Sequence, residues 1–284
     1  EVEAASLVLF EARIARIAAA VLIGAALSAA GASYQGIFRN PMVSPDILGA
    51  ATGASFGAAL AILFGASALM IQVSAFCFGL AAVAAAYFAS SVLTRQSGGA
   101  TLTLVLTGMV VSALFSAFIS IVKFVGDPYD TLPTITFWLM GGLTYLFIML
   151  IPFAAGMIPL LLLRWRLNIL SFDDEEASSL GVDTKKTRAV IILCATLMSS
   201  SAVAVGGMIG WVGLIVPHIA RMLTGPDYSR MLPCSMLTGG LFLLIVDDIA
   251  RCLFAQEIPL GVLTAIIGAP FFLYLMFRGK KSFI

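Results

Sequence analysis

The sequence predicts an all-α polytopic membrane protein, and three observations predict it. Of its 284 residues, 61% are hydrophobic and 11% charged, where soluble domains run at about 45–50% and about 25%. The apolar residues gather into nine runs, each near the ~20 residues that carry a helix across the bilayer. Polar residues form short islands between the runs, and the basic ones fall unevenly on the two sides. In lipid the chain has to satisfy its own backbone N–H and C=O groups, which makes helices the natural form of such runs.

In chain order the runs are 17–34, 47–65, 68–91, 101–122, 143–163, 189–207, 209–224, 231–254 and 260–277. In the second, Gly49, Gly53 and Gly57 recur every four residues behind Pro41 and Pro45. That pattern predicts a broken entry followed by a tight helix contact. The fourth carries Thr101, Thr103 and Thr107, then Gly108, Ser112, Ser116 and Ser120 at four-residue spacing. One helical face is then small and weakly polar, suited either to lining an aqueous path or to close packing. The seventh is short and interrupted by Gly213 and Pro217, as a broken helix would be.

With Arg278, Lys280 and Lys281 on the cytoplasmic side, alternation places Arg39, Arg95, Arg164, Arg166, Lys185, Lys186, Arg188, Arg221 and Arg230 there too. Only Arg13, Arg16, Lys123 and Arg251 fall outside, the asymmetry that the positive-inside rule demands. Glu1 then starts outside without a Met or a signal-peptide core, so a tenth helix is expected upstream. Residues 1–284 read as a single transmembrane domain without internal duplication.

Several function classes drop out. The net charge is +1 and no basic stripe stands out, which argues against nucleic acid. Cys77, Cys194, Cys234 and Cys252 lie in or beside apolar runs without metal spacing and read as small hydrophobes. His218 is the sole histidine and reads as structural, because a metal site needs further ligands. Met109, Met140 and Met198 read as gap-filling among twelve methionines. No GxxxxGK[ST] stretch occurs, so any nucleotide chemistry belongs to another chain.

The densest acidic stretch is "DDEEASSLGVD" at 173–183, inside the longest cytoplasmic connection, 164–188. Glu175, Glu176, Ala177 and Leu180 predict a short helix with acids at its positive end, stopped by Gly181 in the left-handed conformation. Ser171 is a candidate cap. The plain alternative is a solvated loop.

The order Glu176, Ala177, three residues, Gly181 resembles the cytoplasmic coupling motif of permease subunits in ATP-binding-cassette (ABC) importers. Three further stretches carry the resemblance across the chain: "QGIFRNPMVSPDILGAATGASFG" (35–57), "GWVGLIVPHIARMLTGPDYSRMLP" (210–233) and "EIPLGVLTAIIGAPFFLYL" (257–275). From Arg13 to Lys281 the sequence resembles the FecCD family, permeases that import iron-siderophores, haem and cobalamin. The resemblance implies ten helices per subunit and a bacterial or archaeal cytoplasmic (inner) membrane, with the C-terminus cytoplasmic. It implies a second permease subunit, here a homodimer, two ATPases that bring ATP and Mg, and a periplasmic or lipid-anchored substrate-binding protein.

The resemblance also implies roles residue by residue. Asp174, Glu175, Glu176, Ala177, Leu180 and Gly181 would dock on the ATPase. Arg13, Arg16 and Arg251, otherwise readable as snorkelling anchors, would receive acids of the binding protein. The stripe from Thr101 through Thr103, Thr107, Gly108, Ser112 and Ser116 would line the path, with a gate at Ser97 to Thr101. The permease itself would hold no metal or cofactor and catalyse nothing.

Asp247 and Asp248 depart from the family pattern of one acid before "AR". Asp247 sits four residues before Arg251 and can pair with it, whereas Asp248 points about 100° away and is expected to lack a partner. A chelate is the expected cargo, a molybdate- or tungstate-type oxyanion the alternative. A rival from another class is a secondary transporter coupled to an ion through Asp247, Asp248 or Lys123.

Overall fold

The computed structural model describes residues 13–97, 100–143, 150–172, 174–253 and 257–279, with the side chains of 95–97, 100, 174, 275, 276, 278 and 279 excluded. Arg278, Lys280 and Lys281, the expected cytoplasmic end, therefore lie outside the described side chains. Every described element is helical: α1 (Ala15–Phe38), α2 (Ala50–Leu63), α3 (Ala68–Ser97), α4 (Ala100–Val125), α5 (Thr131–Met140), α6 (Leu150–Leu162), α7 (Arg164–Leu170), α8 (Asp174–Ser179), α9 (Thr184–Gly206), α10 (Val212–Thr224), α11 (Tyr228–Cys252) and α12 (Leu260–Gly279).

Each of the nine apolar runs carries one helix, but not all carry a full span. Among the described residues α1, α3, α4, α9 and α11 are long and apolar enough to cross a membrane. The second run instead opens with a 3-10 turn, Pro45–Leu48, whose C-cap Gly49 is left-handed at φ +85°, and only then enters α2. This is the broken entry expected from Pro45 and Gly49. Trp211, at φ +70°, separates α9 from the 13-residue α10; the break expected at Gly213 and Pro217 is therefore corrected, because both lie inside the continuous α10 and the chain turns just before it. Helices α6 and α7 meet at a 61° bend, and α5, α7 and α8 add short elements to the nine.

The interior is built on small residues. Helix α1 lies at the centre, with 78% of its most apolar window buried. Gly24 faces Gly239 of α11 and Gly31 faces Gly213 of α10, backbone against backbone, so a Cβ on either partner would overlap the other helix. Gly53 and Gly57 do the same for α2 on α3: a Cβ at Gly53 would lie 2.5 Å from the Ala82 Cβ, and one at Gly57 2.5 Å from the Ser74 carbonyl oxygen. Gly156 brings α6 onto Cys194 of α9, and Gly268 seats α12 on Trp211. Such contacts let dispersion hold helices together where lipid supplies no hydrophobic drive between them.

Candidate functional site

One end of the bundle carries the region 164–188, where the sequence places the expected coupling helix. Arg39 caps the C-terminus of α1 in the left-handed conformation, and its Nε donates to the Leu170 carbonyl at 3.1 Å. This ties α1 to the end of α7. Asn168 of α7 ties the same arm to α11: its Nδ2 donates to Asp227 Oδ1 at 2.6 Å, and its Oδ1 accepts from the Tyr228 backbone N–H at 2.8 Å. Asp227 also accepts from the Ser229 N–H at 2.9 Å as the N-cap of α11. These bonds, the Ser229 N–H first and Asn168 second, hold the Asp227 carboxyl below its ordinary value.

From that arm projects α8. Ala177 is fully buried beneath it, whereas Glu175, Glu176 and Leu180 stand exposed. Gly181 follows at φ +80°, so the helix ends where its sequence predicts, and Gly181 N–H and Val182 N–H close it on the Ser178 and Ala177 carbonyls. The side chain of Asp174 lies outside the described residues. Ser171 does not cap α8: its hydroxyl donates back to the Leu167 carbonyl at 3.1 Å, because it completes the last turn of α7. Asp183 caps α9 instead, accepting from the Lys186 N–H at 3.0 Å, a bond that pulls its carboxyl below the ordinary value.

The opposite end carries an ion-pair cluster. Arg16 and Arg39 stand near the two ends of α1, 23 residues apart, or about 34 Å at 1.5 Å per residue. Asp247 of α11 is fully buried there and accepts from Arg16 Nε at 3.1 Å and Arg16 Nη2 at 3.0 Å. Arg16 Nη1 turns to Glu257, at 3.0 and 2.9 Å from its two oxygens. Arg251 Nε lies 3.3 Å from Asp247 Oδ2, the predicted pairing, and Arg251 Nη2 donates to Asp248 at 2.6 Å. The expectation that Asp248 lacks a partner is therefore corrected: the long guanidinium reaches the i−3 and i−4 acids together. Arg13 is exposed nearby in sequence.

Glu257 escaped assignment in the sequence because a lone acid opening a hydrophobic run carries no spacing signal. Asn168 and Asp227 escaped because they meet across 59 residues of chain, which no local spacing encodes. Both Asp247 and Asp248 are engaged by arginine, which leaves neither as an uncommitted acid for ion coupling.

The small-residue stripe of α4 does not present one surface. Thr107 is buried and donates to the Thr103 and Leu104 carbonyls at 2.9 and 3.0 Å. Gly108 packs on the 3-10 turn, where a Cβ would lie 2.9 Å from the Leu48 Cα, and Ser112 Oγ faces Gly49. Ser116 and Ser120 are exposed, and the Ser120 hydroxyl donates to the Ser116 carbonyl at 3.0 Å. Thr101 is half-buried, and the side chain of Ser97 lies outside the described residues. The stripe thus divides into a packing half and an exposed half. The rest of the outward face of α4 is apolar, with Leu102, Leu106, Met109 and Val110 exposed.

Comparison with known proteins decides the family. Residues 2–278 match the model of the FecCD transport family. The chain belongs to this family. It is 42% identical over 280 residues to the molybdate import system permease protein of Haemophilus influenzae, covering 97% of the chain and 82% of that protein. It is 40% identical over 285 residues to a Helicobacter pylori protein described as a probable iron chelatin transport system permease, covering 99% and 85%. A solved metal-chelate type ABC transporter in an inward-facing conformation superposes with a TM-score of 0.89 at 41% identity, over 96% of this chain and 88% of that one. The chain is thus an ABC importer permease, a multi-pass membrane protein, and the ion-coupled secondary transporter gives way to that reading.

Proposed function

We propose that this chain is the membrane subunit through which an ABC importer moves a metal chelate into the cytoplasm by alternating access. Two copies would enclose the path, two separate ATPases would supply the drive with ATP and Mg, and an external binding protein would deliver the cargo. The observation that carries the reading is α8. Its buried Ala177 fastens it to an arm bonded to α1 and α11, while Glu175, Glu176 and Leu180 point away from the membrane domain. A partner that moves α8 therefore pulls on two of the principal helices of the bundle.

At the far end Arg13, Arg16 and Arg251 are the docking cations for acids of the binding protein, and Asp247 holds two of them in place. Thr101, Ser116 and the exposed face of α4 form this subunit's share of the path, with the gate at Ser97 to Thr101. The test is affinity purification from membranes of the parent and of Glu176→Lys. Copurification of an ATPase with the parent and its loss from the variant support the reading; equal recovery, with uptake unchanged, defeats the role of α8.

A second cargo, a molybdate-type oxyanion, is favoured by the relationship to the Haemophilus influenzae permease. Uptake into vesicles of a ferric siderophore, haem, cobalamin and molybdate, each supplied with the binding protein, separates the two.

A further inference from the structure

Helix α11 begins with a cap that its own stretch of chain does not complete. The first four N–H groups of a helix have no partner inside it. In α11 the Arg230 and Met231 N–H groups bond the Asp227 carbonyl at 3.0 and 2.8 Å, and the Ser229 N–H bonds Asp227 Oδ1 at 2.9 Å. The remaining one, on Tyr228, is satisfied from α7: it donates to Asn168 Oδ1 at 2.8 Å, across 60 residues of chain. The same amide donates through Nδ2 to Asp227 Oδ1 at 2.6 Å, with the Ser229 hydroxyl a weaker contact at 3.4 Å. One side chain thus both donates to the start of α11 and accepts from it, which fixes α7 there in position and in direction.

The joint around Asn168 is closely packed. Leu167 and Leu170 of α7 are fully buried. The Tyr228 ring lies against α1, where a Cβ at Gly36 would sit 3.1 Å from the Tyr228 hydroxyl and 3.3 Å from Leu167 Cδ2. From this joint α1 and α11 run side by side along the bundle. Gly24 and Gly239 interlock midway, the Ser235 hydroxyl donates to the Ser28 carbonyl at 3.4 Å, and at the far end Arg16 pairs with Asp247 at 3.0 Å. The two helices are therefore fastened at both ends and between them. Asp227 and Asp247 are 20 residues apart on α11, or about 30 Å at 1.5 Å per residue.

We propose that Asn168 is the positioning residue that makes α1, α7 and α11 one body, so that a displacement of α8 is delivered without slack to the Arg16–Asp247–Arg251 cluster. The proposal rests on the reading of α8 as the ATPase contact. Only residues 171–173 separate α7 from α8, so α7 follows α8 closely. With Asn168 in place α11 follows α7. Without it the Tyr228 N–H and the Asp227 carboxylate turn to water, α7 pivots on its buried leucines, and α11 lags. The coupling is reciprocal: a partner seated on the arginine cluster moves α8 as surely as α8 moves the cluster.

The test uses the full chain, purified with its ATPase in nanodiscs and labelled with a bimane fluorophore at Cys252, which is exposed at the far end of α11. Cys77→Ser removes the other exposed cysteine, and MgATP with vanadate is the perturbation. The parent is expected to change its emission at Cys252. Asn168→Ala is expected to retain the ATPase and to hydrolyse MgATP within about twofold of the parent, while its Cys252 response falls about threefold or more. Asp227→Ala is expected to behave alike, and the double variant no worse than either, since both remove one joint. Gly53→Ala loosens the α2–α3 contact and leaves the joint alone, so it is expected to keep the parent's response and controls for lost stability. An undiminished response in Asn168→Ala, or equal losses in Asn168→Ala and Gly53→Ala, overturns the proposal. If Asn168→Ala does not fold, Asn168→Asp carries the test, because it keeps the acceptor for Tyr228 and sets a second carboxylate against Asp227; an undiminished response then overturns the proposal. An ATPase missing from the parent overturns the importer reading itself, whereas an ATPase held by the parent with no response at Cys252 overturns this proposal alone.

Discussion

Replacing Asp247 by Asn removes one charge from the centre of the cluster it forms with Arg16 and Arg251 and changes little else in shape. Asp247 is fully buried and accepts from Arg16 at 3.0 and 3.1 Å, with Arg251 Nε a further 3.3 Å contact. Breaking a fully buried ion pair costs about 3–5 kcal/mol because the abandoned partner is left bare. Here neither partner is abandoned, since Arg16 keeps Glu257 and Arg251 keeps Asp248. The expected cost is therefore that of charged hydrogen bonds, about 1.5–3 kcal/mol.

Glu257→Gln is the control: Glu257 is 60% exposed, so its pair is worth about 0–1 kcal/mol. The assay is equilibrium unfolding in mixed micelles read by tryptophan fluorescence, with a double-mutant cycle between Arg16→Ala and Asp247→Asn. A coupling energy near zero, or equal losses for Asp247→Asn and Glu257→Gln, would refute the assignment of Asp247 as the anchor of both arginines.

Other outcomes are equally open to measurement. Glu176→Lys is expected to lower ATP-driven uptake by at least tenfold while leaving the unfolding midpoint within about 0.5 kcal/mol of the parent, since surface substitutions stay in that range. Gly53→Ala forces α2 and α3 apart by about 0.9 Å, the shortfall from ordinary contact at 3.4 Å, and is expected to cost about 1–3 kcal/mol; an unchanged unfolding midpoint would contradict that packing. The depressed carboxyls of Asp183 and Asp227 stabilise the starts of α9 and α11 above the ordinary carboxylate value of 3.8, and lose that contribution as pH falls through their lower folded values. Hydrogen exchange at the Lys186 and Ser229 amides should accelerate, relative to amides deeper in the same helices, only below that pH.

The long helices were legible because α1, α3, α4, α9 and α11 are continuous apolar runs, and the family motifs bracket them in order. Pro45 with Gly49 flagged an interruption that is there, whereas Gly213 and Pro217 did not mark one: α10 runs unbroken through both, and the break lies just before it at Gly207 to Trp211. The 61° bend after Leu162 and the ten-residue α5 were not legible, since hydropathy over a window averages across such features. In the candidate site the acids and glycine of α8 announced a capped helix. Pairing was harder to read: Glu257 meets Arg16 across 241 residues of chain, a relation that no local spacing encodes. The α4 stripe shows the same limit, because small residues suit both a helix contact and an aqueous wall, and only the position of the 3-10 turn assigns Gly108 and Ser112 to contact.

The enclosure of α1 has a consequence for how the protein is made. Helix α1 is the most sheltered of the long helices together with α9, yet its mean hydropathy of 1.8 is below the 2.3 of α4, of which only 17% is buried. Its alanines, serines and glycines are chosen for neighbours, and the neighbours it needs, α9, α10 and α11, are synthesised more than 140 residues later. During translation α1 must wait in the bilayer or at the insertion machinery with its bare glycine backbone unpacked, its serine hydroxyls meanwhile held by carbonyls of the same helix. Slow or truncated synthesis of the second half should therefore make the nascent first half a preferred target for membrane quality control.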